Sequence, residues 1–94
     1  MGLLFGWDSN KAERNVRTHG VSFDEASTSF QDPLSRTIGD PLHSDDEERY
    51  VLIGQSIWGR LLVVVHTERG ERIRIISARL ATTKERQSYE EDEG

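Results

Sequence analysis

VVVHTERGERIRIISAR, running from Val63 to Arg79, reads as two β-strands joined by a tight turn. The first half belongs to LLVVVHT, a continuous apolar run typical of a central strand. Arg69-Gly70-Glu71 turns the chain into RIRIISAR, where alternation puts Ile73 and Ile75 on one face and Arg72 and Arg74 on the other. The hairpin therefore concentrates Arg69, Arg72, Arg74 and Arg79 around His66, in a chain whose formal net charge is -5. Arg79 shares the parity of Ile73 and Ser77, so it lies either past the strand's end or across a bulge.

Upstream, RYVLIGQS alternates well enough for a strand, and Trp58-Gly59-Arg60 turns it into the central one. Ser35 to Ile38 is a further candidate strand, and LLFGW, Leu3 to Trp7, is a plausible edge strand. Asp8 or Ser9 caps a helix running to about His19, closed by Gly20, with Ala12, Val16 and Asn15 on its inner side. Ser22 and Glu25 match a reciprocal capping box for a second helix, which Val21 staples onto Ala26 and Asp32-Pro33 ends. Thr82 and Glu85 form another box, opening a C-terminal helix that runs through Tyr89. The expected fold is α+β: an antiparallel sheet of three to four strands, two N-terminal helices and one C-terminal helix.

The chain's 94 residues make one domain. Such a chain buries only about 60–65% of its unfolded surface, so a surface groove is a better expectation than a deep cavity. It has no cysteine, which excludes disulfides and thiolate metal sites. No apolar run approaches the roughly 20 residues that cross a bilayer, and MGLLFGWDS lacks the pattern of a signal peptide. The expectation is a cytoplasmic protein with no membrane contact. Charge is patterned rather than uniform. Glu90 to Glu93 form an acidic tail expected to fray, and Asp45, Asp46, Glu47 and Glu48 a second acidic cluster. Between Arg60 and Arg86 seven basic residues face three acidic ones, a local charge of +4.

Arginine suits phosphate because its planar fork donates two parallel hydrogen bonds. A single surface arginine is most often only solvated or paired with a glutamate. Here Arg49, Arg60, Arg72, Arg74 and Arg79 all fall on or beside adjacent strands, and that sum points to an anion. His66 is either a hydrogen-bonded core residue or a proton carrier, and His19, just before Gly20, is expected to do no more than favour the helix C-terminus electrostatically. His43 near Asp45 and Asp46 has no ligand spacing, so no metal is assigned. Trp58 is expected to pack across the sheet end, with stacking on a base as the alternative. Phosphate-loop and hydrolase-elbow motifs are missing from the sequence, and no cofactor is expected.

Taken together, FGWDSNKAERNVRTHGVSFDEA, the strand ERYVLIG, LLVVVHTERG and RIRIISARLATTKER resemble the BrnT toxin family, from Phe5 to about Tyr89. The resemblance implies a RelE-like fold and a ribonuclease that halts growth by cutting RNA. It also implies a BrnA-like antitoxin, through which alone operator DNA would be reached. On that footing Arg49, Arg74 and Arg79 are the candidates for phosphate and transition-state stabilisation. His66, His19, Glu48 and Lys11 are the candidates for moving protons, and Arg60, Arg72, Lys11 and Trp58 for holding RNA. Rival readings are a catalytically weak partner that acts with the antitoxin as an operon autorepressor, and an RNA-binding module without a partner.

Overall fold

The computed structural model describes residues 3–40 and 48–91. Five strands, β1 (Leu4–Gly6), β2 (Arg36–Gly39), β3 (Arg49–Gln55), β4 (Leu61–Arg69) and β5 (Arg72–Leu80), form one sheet in the order β1-β5-β4-β3-β2. Helices α1 (Ser9–His19) and α2 (Phe23–Thr28), continued by a 3₁₀ turn at Ser29–Gln31, follow β1, and α3 (Thr83–Glu91) follows β5. The expectation of three to four antiparallel strands is corrected to five, in a mixed sheet. β2 to β5 are antiparallel neighbours, whereas β1 lies parallel to β5, with Phe5 opposite Ile73. The edge strand at Leu3 to Trp7 is legible in the sequence, but its parallel seating is not, because a pairing so distant in sequence leaves no turn signal.

One face of the sheet carries the main core. Leu52, Leu62, Val64, Ile75 and Ala78 pack under Val21, Phe23 and Ala26, with Phe5, Trp7, Ala12 and Phe30 at the margin. Gly54 is demanded here, because a Cβ on it would stand 2.7 Å from the Ser29 carbonyl oxygen. A bulge resolves the parity of Arg79. Val65 pairs with Ser77 and His66 with Ile75, so Ile76 is the extra residue of β5. Beyond it Ala78 turns to the core, and Arg79 joins Arg74 on the opposite face.

The helix ends follow their capping residues. Asp8 accepts from the amides of Asn10 and Lys11, and Gly20 closes α1 at φ 70. The Thr82–Glu85 box is reciprocal, each side chain accepting from the other's amide at 3.1 and 2.8 Å. The box expected at Ser22 is only half made. Ser22 accepts from the Glu25 amide, but the Glu25 carboxylate turns away to Arg60 and Ser56 and is buried. A paired guanidinium outcompetes a lone backbone donor for a carboxylate leaving water.

Two further expectations change. Of the residues expected on the inner side of α1, Asn15 is buried and Ala12 packs at the core margin, but Val16 is 47% exposed. The Asn15 amide donates to the carbonyls of Val21 and Ala78 and accepts from the Ala78 N–H. It thus takes the place of a neighbouring strand where β1 has ended and β5 would present an open edge. Trp58 does not pack across the sheet end. It sits 68% exposed on the β3–β4 turn beside the exposed Ile57. The turn is fixed from beneath: Ser56 donates to Glu25, and the Ile57 amide donates to the Thr28 hydroxyl. The acidic cluster's Asp45, Asp46 and Glu47, His43, and the tail beyond Glu91 lie outside the described residues, while Glu90 and Glu91 belong to α3.

Candidate functional site

The face of the sheet opposite α1 and α2 carries cross-strand rows set by register and alternation. In the first, Arg49 of β3, Thr67 of β4 and Arg74 of β5 are successive neighbours. Two interstrand spacings put the arginine Cα atoms about 10 Å apart. Beyond Arg74 the row ends on Gly6 of β1, which has no side chain to crowd it. The second row is Ile38, Val51, Val65 and Ser77, and the third is Arg36, Ile53, Val63 and Arg79.

α3 crosses this face at the third row. Arg79 meets Glu85 fork to fork, at 2.8 and 2.9 Å. Arg36 donates to the Ser88 carbonyl, and the Tyr89 hydroxyl donates to Asp32. The Arg79 guanidinium leads the causes that hold the Glu85 carboxyl down to about 2, joined by donation from Thr82. Between α3 and the β2 edge runs a groove of about 280 Å³, lined by Ile38, Val51, Ile53, Val63, Arg36, Glu85 and Ser88.

Arg49 and Arg74 stand differently. Both are half-buried, and neither guanidinium makes a hydrogen bond or ion pair among the described residues. Arg74 lies near enough to Asp8 to contribute to lowering its carboxyl, an effect led by the Lys11 amide bond. Two guanidiniums flanking a buried threonine form a cationic saddle, suited to an anion carrying several oxygens.

The structure brings together some of the residues singled out from sequence and separates others. Arg49, Arg74 and Arg79 share the face, with Arg79 committed to α3. Arg72 is exposed at the hairpin end of the same face, opposite Arg69. Arg60 is elsewhere: it binds the buried Glu25 and the Gly20 carbonyl, on the helical side. Lys11 and His19 line a separate groove of about 240 Å³ with Arg14, Thr18 and Ile76. His66 is 1% exposed in the core, edge-on to Phe30 and stacked on Tyr50, and burial pushes its pKa down. Glu48 accepts from the Tyr50 hydroxyl at 2.9 Å. Trp58 lies at the far end of the β3–β4 hairpin from Arg49, about 20 Å along β3. Thr67, Glu85 and Ser88 escaped the sequence reading as parts of this face. The parity of LLVVVHT does place Thr67 with Val63 and Val65, but nothing local reveals its arginine neighbours.

The crystal structure of the Brucella abortus ribonuclease toxin BrnT matches at a TM-score of 0.65 with 23% identity, covering 87% of this chain and 100% of that one. At that identity the likeness is one of fold. Among curated proteins none matches. The family described as ribonuclease toxin, BrnT, of type II toxin-antitoxin system matches residues 7–85. That span covers most of the chain, and the protein belongs to the BrnT family of type II toxin–antitoxin toxins.

Proposed function

We propose that this toxin is a metal-independent endoribonuclease whose scissile phosphate is held between Arg49 and Arg74, and that a BrnA-like antitoxin neutralises it. The observation that carries the reading is the pair of half-buried, uncommitted guanidiniums on either side of Thr67. RNA supplies its own nucleophile. Its 2′-hydroxyl attacks the adjacent phosphorus and expels the 5′-oxygen, leaving a 2′,3′-cyclic phosphate. The enzyme's task is to bind the phosphate, stabilise the charge that develops on its oxygens, and move two protons. Arg49 and Arg74 perform the first two tasks. Arg79 acts as a positioning residue through Glu85, fixing α3 beside the site. Arg72 extends the positive strip along the RNA backbone, and substrate meets the protein in the cytoplasm, on a scaffold we read as RelE-like.

For the protons, Lys11 is electrostatically coupled to the same Asp8 as Arg74 and shares a groove with His19. His66 would have to reach substrate past Phe30 and Tyr50, so His19 and Lys11 come first among these candidates. The test is cleavage of a defined RNA by the purified chain in EDTA, with end-group analysis of the products. Cyclic phosphate ends, formed by wild type and lost in Arg49→Ala and Arg74→Ala, are expected. Cleavage that vanishes in EDTA, or survives in both variants, would reject the assignment.

A further inference from the structure

We infer that the groove between α3 and the β2 edge is the docking site of the antitoxin, and that it takes a short amphipathic segment bearing carboxylates. The inference rests on the proposed toxin–antitoxin reading and adds the surface and the chemistry of the occupant. The groove is apolar at its floor, where Ile38, Val51, Ile53 and Val63 converge. Ile38 remains 65% exposed on a strand at the sheet's edge, a large aliphatic group left in water beside half-buried Val51 and Ile53. Exposed aliphatics gathered at a groove favour a partner's apolar side chains over solvent.

Charge selects among such partners. The apolar row lies one step along the strands from Arg49 and Arg74, whose guanidiniums form no ion pair among the described residues, Arg74 having Asp8 as a more distant acidic neighbour. A segment seated on Ile38 and Val51 would bring its neighbouring side chains within reach of both guanidiniums. Carboxylates there form charge-assisted pairs, whereas basic or neutral groups leave two half-buried cations uncompensated. The occupant is therefore acidic as well as amphipathic. Its position also explains inhibition: the same segment that fills the groove covers the phosphate-binding row. RNA offers phosphates but no aliphatic side chains, and the described residues give the groove no aromatic wall for a base.

The decisive experiment measures the chain against the antitoxin encoded beside its gene, using Ile38→Ser, with Trp58→Ala as a control at another exposed apolar site. Loss of one buried aliphatic contact predicts about tenfold weaker binding for Ile38→Ser. RNA cleavage by the free variant and its melting temperature should stay at the wild-type values, and Trp58→Ala should bind as wild type does. A photo-crosslinking residue at position 38 should capture the antitoxin. Binding of Ile38→Ser within twofold of wild type, with no crosslink, overturns the inference. So does impaired RNA cleavage with binding intact, which would give the groove to substrate. Failure of the wild-type pair to associate would instead bring down the parent reading, and the docking site with it.

Discussion

Thr67 has a guanidinium neighbour on either side, and what surrounds each arginine decides what its loss would do. The guanidiniums of Arg49 and Arg74 make no hydrogen bond or ion pair among the described residues, so truncation deletes charge without orphaning a buried group. Arg49→Ala and Arg74→Ala should each lower RNA cleavage roughly a hundredfold or more, the worth of a cation aimed at developing phosphorane charge. Melting temperature should barely move, since such surface arginines contribute about 0–1 kcal/mol. Lysine at either position should restore activity only in part, because the charge returns without the fork. Asn15 is the opposite case. Its amide satisfies both backbone groups of Ala78 and the Val21 carbonyl, all buried. Asn15→Ala should cost about 2–4 kcal/mol in chemical denaturation, from unpaired groups that no water replaces. A loss below about 1 kcal/mol would mean the β5 edge finds other partners. Nothing local distinguishes these two kinds of polar residue. Asn15 sits among charged neighbours on α1, and only the missing strand beside β5 reveals its use.

α3 shows how one element is held by contacts from several others. Glu85 closes the helix's own cap and grips Arg79 of β5, Arg36 of β2 donates to the Ser88 carbonyl, and Tyr89 donates to Asp32. Glu85 titrates at about 2 in the folded protein against an ordinary 4.5. Its folded value is depressed, so its stabilising contribution is full above about 4.5 and is lost as pH falls from there through about 2. Asp32, also lowered despite its burial because Tyr89 and two backbone amides donate to it, acts in the same direction. α3 should therefore loosen in acid, read as faster amide exchange of residues 83–91 between pH 4.5 and 2.5. Glu85→Gln should raise exchange at neutral pH and flatten that acid dependence. An unchanged acid dependence in the variant would show that Asp32 alone anchors the helix. The Thr82–Glu85 cap was legible because its partners are three residues apart. The Arg79–Glu85 pair was not, because Arg79 reaches α3 only after the Ile76 bulge reverses its facing. Glu25 teaches the same lesson in reverse: local spacing predicts a cap, and an arginine 35 residues away takes the carboxylate.

Across the whole molecule, a net charge of -5 coexists with a sheet face whose cations outnumber its acids among the described residues. Element order was readable along most of the chain, because caps, turns and alternation are local signals. The grouping of chemistry was not. The parallel seating of β1 beside β5, the register and the bulge together decide that Arg49 and Arg74 flank one threonine while Arg60 leaves for the helical side. This asymmetry bears on partner binding in solution. An acidic partner approaches a positive strip on a negatively charged body, so attraction is short-ranged and sensitive to ionic strength. Where apolar groove contacts and carboxylate–arginine pairs both contribute, salt should weaken the pairs and spare the burial. Antitoxin affinity should therefore fall with added salt toward a plateau rather than toward zero. Arg49→Ala with Arg74→Ala should bind more weakly at low salt and reach about the same plateau. Titration calorimetry across a range of sodium chloride concentrations checks this directly. A flat wild-type dependence would show that the antitoxin leaves both guanidiniums uncovered, and inhibition would then have to come from outside the arginine row.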